Sequence, residues 1–205
     1  MKLEVNGKQY TNFVSAACEL RLDSLSSQFR FEAVAPKGQP LPFKGGESCR
    51  VYIDNEKILT GHIEVVNVSY SADSHIITVS GRDKTGDLLD STIDAIPDLS
   101  GDGLTLKGII EAIIKSVGLN IKVIDEVKPP AFTVTEMVAA PEAGDPAFSF
   151  IEKYSKMRQV LLTSNANGDL VIASNSGITA KGAVQHIIGG ADNNVITSDF
   201  SYDTT

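Results

Sequence analysis

The chain predicts an α+β protein: an antiparallel β-barrel over residues 1–93, a small α+β domain over 94–175, and the start of a second β region over 176–205. Three observations predict it. Six or seven short alternating segments crowd into the first eighty-odd residues, spaced as in an antiparallel barrel or sandwich. At Gly81 the two-residue alternation of Ile77 and Val79 stops, a short charged turn follows, and Leu88 and Leu89 open a helix-like spacing. Beyond a polar linker, two stretches carry apolar residues at helical intervals.

Each element has its own reason. Asn6-Gly7 supplies the positive φ angles of a tight hairpin turn within residues 3–10. Residues 17–23 alternate, with Leu20 and Leu22 sharing a face, and residues 28–33 turn Phe29, Phe31 and Ala33 inward. Between them Ser24-Leu25-Ser26-Ser27 reads as a small polar connection, and residues 36–46 as a loop punctuated by Pro and Gly. Cys49, Val51 and Ile53 alternate into the turn at 54–57, and a long strand follows from Ile58 to Tyr70, its pattern slipping by one residue around Val65-Val66, the signature of a β-bulge. A last strand runs over 75–80.

After the linker at 94–103, Leu106, Ile109, Ile110, Ile113, Ile114 and Val117 fall on one helix face, with Thr105 as N-cap and Gly118 as terminator. Strands are expected at 120–124 and 132–134. Asp145-Pro146 starts a second helix, with Pro at its first position and Phe148, Ile151 and Tyr154 inward, ending near Arg158. A hairpin over 160–163 and 170–173 follows, and further strands are expected at 184–188 and 195–202.

Composition excludes more than it identifies. There are 26 acidic residues against 18 Lys plus Arg, a formal charge of -8, and no basic run, so specific nucleic-acid binding is not expected. Cys18 and Cys49 make no disulfide framework and read as small buried thiols. The first residues are too polar for a signal peptide, and no apolar run is long enough to cross a bilayer, so a soluble protein made in the cytoplasm is expected, without a membrane partner. His62, His75 and His186 lack ligand spacing, Gly101-Asp102-Gly103 lacks the rest of a dinucleotide loop, and Asp83, Asp87 and Asp90 lack calcium-loop spacing. No metal, cofactor or catalytic residue is expected. Asp54, Glu56 and Glu64 are the carboxylates that could imitate a glycosidase pair, but Asp54 and Glu56 occupy a turn that favours acids for its own geometry.

Three stretches carry a family resemblance. They are residues 146–154 with 160–163 and 167–172, the turn Gly81-Arg82-Asp83-Lys84-Thr85-Gly86-Asp87-Leu88-Leu89-Asp90, and residues 194–203. In order, they resemble the central module, the end of the first barrel and the entry to a second barrel in baseplate hub proteins of Mu-like contractile-tailed phages. The hub part of type VI secretion spikes is similar. The resemblance implies a homotrimer of tube-like barrels forming a pseudo-six-fold ring, with the tail-tube protein, the central spike and other baseplate proteins as partners. It implies a place in the virion tail, after assembly in the bacterial cytoplasm, with the genome passing through the lumen. The sequence stops before a complete second barrel, so the resemblance implies a fragment or an abbreviated hub. Arg82, Asp83, Lys84 and Asp87 are the interface candidates at the domain edge, and a solvated turn is the plainer reading of the same residues. A reading of another class is a cell-wall glycan-binding or hydrolase module of the tail tip.

Overall fold

The computed structural model describes residues 1–22, 24–34, 42–71, 75–99, 103–136 and 138–174; Met1–Ser174 form one compact unit. The strands expected at 184–188 and 195–202, the resemblance at 194–203, His186 and most of the loop at 36–46 lie outside the described residues.

Seven strands build the first layer: β1 (Lys2–Val5), β2 (Lys8–Tyr10), β3 (Ser15–Glu19), β4 (Gln28–Val34), β5 (Ser48–Ile53), β6 (Glu56–Tyr70) and β7 (His75–Asp83). They form one antiparallel sheet in the order β2-β1-β5-β6-β7-β4-β3, curled into a half-barrel. The two edges, β2 and β3, are not paired with each other among the described residues. Asn6 and Gly7 take φ of 52° and 77°, as the first hairpin requires, and Asp54 and Asn55 make the equivalent turn between β5 and β6 at 47° and 70°. Leu3, Phe31, Val51, Leu59, Ile63 and Val79 fill the concave side.

Several expectations shift. The alternation of β7 does not stop at Gly81; it continues to Asp83, with Gly81 and Asp83 on the buried face. The bulge falls one residue early: Ile63 opposes Gly81 and Val65 opposes Ser80, leaving Glu64 as the extra residue. β3 ends at Glu19, opposite Gln28, so Leu20 and Leu22 leave the sheet and are 60% and 79% exposed instead of sharing a core face. The connection after them is not a solvated one, because Leu25, Ser26 and Ser27 are all buried.

The second layer contains α1 (Gly86–Asp90), α2 (Leu106–Ser116), β8 (Val123–Asp125), α3 (Ala147–Met157), β9 (Leu161–Ser164) and β10 (Leu170–Ala173). β10 lies between β8, to which it is parallel, and β9, to which it is antiparallel. The α2 stripe is buried at Leu106, Ile109, Ile110, Ile113 and Ile114, and the Thr105 hydroxyl accepts from the Gly108 amide as N-cap. Pro146 is the N-cap of α3, not its first residue, and its carbonyl accepts from the Phe150 amide. Phe150 joins Ile151 and Tyr154 in the core, while Phe148 is only half-buried.

The strand expected at 132–134 is absent. Phe132 is buried in coil and Val134–Glu136 make a single 3₁₀ turn. There the Glu136 carboxylate accepts from the Thr133 amide and hydroxyl, a local bond that competes with extended pairing. Arg158 fixes this turn by bonding Glu136 and the Pro130 and Ala131 carbonyls, with its guanidinium 3.8 Å from the Phe132 ring centre. The linker is pinned as well, since Leu99 enters the core of the second layer, as Ile93 does just before it.

Candidate assembly interface

The candidate residues lie where the sheet hands the chain to the second layer. Strand alternation places Arg82 and Asp83 on opposite faces of β7. Asp83 is 2% exposed, and its carboxylate accepts from five donors: the Ser26 hydroxyl (3.1 Å), the Ser27 amide (2.9 Å), the Thr85 amide (2.9 Å), the Thr85 hydroxyl (2.5 Å) and the Ser164 hydroxyl (2.5 Å). A buried carboxylate persists only when its lone pairs are met in this way. It ties the β3–β4 connection, the turn and β9 to one point, and all of these contacts are internal.

On the outer face, the Arg82 guanidinium reaches Glu64 at 2.7 Å and pairs with Asp90. The bulge makes this possible by adding Glu64 to β6 without a strand partner, so its carboxylate turns toward β7. The hydrogen bond from Arg82 holds the Asp90 carboxyl below its usual range, and Asp90, then Glu64, raise the guanidinium further. Asp87 is half-exposed, 3.7 Å from His62 Nδ1. The expected residues therefore meet at one junction but divide between interior and surface.

Two glycines set the geometry of that junction. A Cβ on Gly61 would fall 1.9 Å from the Arg82 carbonyl oxygen, and one on Gly81 would fall 2.0 Å from the His62 carbonyl oxygen. The β6 and β7 backbones approach so closely only because neither position has a side chain. Next to them the β9–β10 hairpin docks by its tip: Thr60 Oγ1 donates to the Ala166 carbonyl at 2.8 Å and Lys57 to Asn167 at 2.5 Å. Gly168, at φ 71°, leaves room for the Thr60 carbonyl and the Lys84 stem.

Sequence reading missed Ser26, Ser27, Thr60, Ser164 and Gly168. Their partners are distant in the chain, as with Ser164 and Asp83, 81 positions apart. The one local signal is Asn167-Gly168-Asp169, which marks a tight turn without saying what it touches.

The other candidates stay apart. Asp54 sits in the β5–β6 turn, while Glu64 is at the bulge beside Arg82. Among the described residues no three His, Cys, Asp or Glu side chains form a group that could hold a metal ion. No described helix is long and apolar enough to cross a membrane. Cys18 and Cys49 are free thiols.

The half-barrel and the mixed lobe each match a domain of phage baseplate hub proteins. The chain belongs to the baseplate hub family of Mu-like phages: residues 1–83 match the N-terminal domain of the Mu phage baseplate assembly protein GpP-like family, and residues 85–174 match the second domain of the baseplate hub protein gp44-like family. It is 28% identical to the baseplate hub protein gp44 of Escherichia phage Mu, over 98% of this chain and 51% of that protein. A 43 kDa tail protein of prophage MuSo2 from Shewanella oneidensis superposes with a TM-score of 0.73 at 32% identity, over 84% of this chain and 53% of that one. An Escherichia coli component of the type VI secretion system shares the fold alone, with a TM-score of 0.60 at 14% identity over 86% of this chain and 50% of that one. The chain spans about half the length of the relatives it matches.

Proposed function

We propose that this chain is a structural component of a phage or phage-derived contractile-tail baseplate, acting by self-association and without catalysis. In this reading three copies form a ring of pseudo-six-fold character that joins the tail tube above to the central spike below. Residues 1–93 serve as its tube-like part and 94–175 as the mixed lobe. The observation that carries the reading is the ordered match of two hub domains along residues 1–83 and 85–174.

The physical chemistry agrees with it. Among the described residues the half-barrel leaves two unpaired edges, and an unpaired edge is stable in an assembled protein when a neighbour covers it. Identical copies related by closed symmetry repeat one such contact around a ring. The net charge of -8 opposes adhesion to a passing nucleic acid. The assigned place is the virion tail, after assembly in the host cytoplasm, with tube, spike and other baseplate proteins as partners.

Static light scattering of the purified full-length protein should give three times the chain mass, and cryo-EM of tails should place it beneath the tube. A full-length protein that stays monomeric and is missing from tails removes the reading.

A further inference from the structure

A groove of about 310 Å³ opens beside the turn of the β1–β2 hairpin, lined in part by Glu4, Asn6, Arg50, Thr60 and Lys84. Glu4, Arg50 and Thr60 stand in register across β1, β5 and β6 and alternate with the core residues Leu3, Val51 and Leu59, so they point outward. The Glu4 carboxylate already accepts from Arg50 at 2.6 Å, Gln9 at 3.4 Å and Tyr52 at 3.4 Å, and the Arg50 bond holds its carboxyl below the usual range. Its charge is answered. The Thr60 hydroxyl is committed to the Ala166 carbonyl.

Lys84 differs from these neighbours. Among the described residues its ammonium has neither a hydrogen-bond nor an ion-pair partner, although the side chain is half-buried with its stem packed against Gly168. The groove therefore holds one ion pair, Glu4 with Arg50, and one unpaired cation, Lys84, on a chain whose formal charge is -8. Its lining includes Asn6 in the turn that leads into β2, a sheet edge unpaired among the described residues.

We propose that this groove is a socket for an aspartate or glutamate side chain of a second copy of this chain, held by Lys84 with help from Arg50. The inference rests on the self-assembly reading above and adds the contact that makes it possible. Copies with an excess of 26 acids over 18 bases repel one another unless their contact sets cation against anion, and charge complementarity of this kind fixes register. A groove in one copy and an acid in the next is a head-to-tail contact, the type that closes rings. A half-buried lysine whose stem is packed against Gly168 loses less freedom on capturing a carboxylate than a fully exposed one would.

The test is sedimentation equilibrium of the 205-residue chain and its Lys84→Glu, Lys84→Gln and Lys84→Arg variants, with circular dichroism to establish that each is folded. Loss of a charged hydrogen-bonded contact should raise the apparent dissociation constant roughly tenfold to a hundredfold for Lys84→Gln, and more for Lys84→Glu. Lys84→Arg should retain assembly, and wild-type assembly should weaken with added salt more steeply than that of Lys84→Gln. Folded Lys84→Glu that assembles like wild type overturns the socket and leaves the ring reading standing. A wild-type chain monomeric at every concentration and salt removes both. Lys84-dependent capture of a fluorescent DNA duplex, without any effect of Lys84 on assembly, assigns the groove to phosphate and overturns the inference.

Discussion

Asp83→Ala should be strongly destabilising, and its size follows from counting donors. Five donors converge on the carboxylate, but they do not depend on it equally. The Ser26 hydroxyl has the Ser27 carbonyl at 3.4 Å, and the Thr85 hydroxyl has the Leu25 carbonyl at 3.2 Å, so both can rotate to another acceptor. The Ser27 and Thr85 amides cannot rotate, and both residues are buried. Two buried amides left without an acceptor cost about 1–3 kcal/mol each, about 2–6 kcal/mol together. Ser164→Ala removes one donor and leaves the carboxylate four, so it should cost only about 0.5–1.5 kcal/mol. Urea denaturation followed by tyrosine fluorescence and far-UV circular dichroism measures both. Because the carboxylate ties the sheet to the second layer, Asp83→Ala should also separate the two probes into different midpoints. A loss below about 1 kcal/mol for Asp83→Ala, or an equal loss for Ser164→Ala, would refute the assignment of the carboxylate as their shared anchor.

Other predictions test separate parts of the fold. Gly168→Ala faces both a φ of 71° and a Thr60 carbonyl oxygen 2.6 Å from the new Cβ, so it should cost about 2–4 kcal/mol in a thermal melt; Gly7→Ala, with open space around it, should cost only about 1–2 kcal/mol. The Arg158 hydrogen bond, reinforced by Thr133, lowers the Glu136 carboxyl from 4.5 to about 2. The folded value is the depressed one, so its contribution is full above about 4.5 and is lost as pH falls toward about 2; Glu136→Gln should flatten the fall in melting temperature across that window. Burial raises the Cys49 thiol to about 12 and the Cys18 thiol to about 11, so at pH 8 neither should react rapidly with a thiol reagent until the protein unfolds, with Cys18 reacting first. Ile113→Ala in the α2 stripe should cost about 2–5 kcal/mol by chemical denaturation.

Where a residue's environment follows from its near neighbours, the sequence was readable. The Ile109–Ile113 stripe, the Thr105 cap and the Asn6-Gly7 turn each encode their structure within a few positions. Leu20 and Leu22 look like a strand face, yet they lie outside one because β3 pairs only as far as Glu19; pairing extent is a property of two segments. Ser26 and Ser27 look solvated, yet they are buried by a carboxylate 57 and 56 positions away. Of the junction, the position of Arg82, Asp83, Lys84 and Asp87 at a domain edge was legible. Their division between interior and surface was not, because it requires the strand to run on past Gly81, where missing side chains hide the alternation.

That pair of glycines has a mechanical consequence. The close approach of β6 and β7 depends on two side chains that are not there, so no rotamer change can loosen it, and the strands can part only by breaking ladder hydrogen bonds. A load arriving along β7 is therefore shared with β6 through their ladder before it reaches α1.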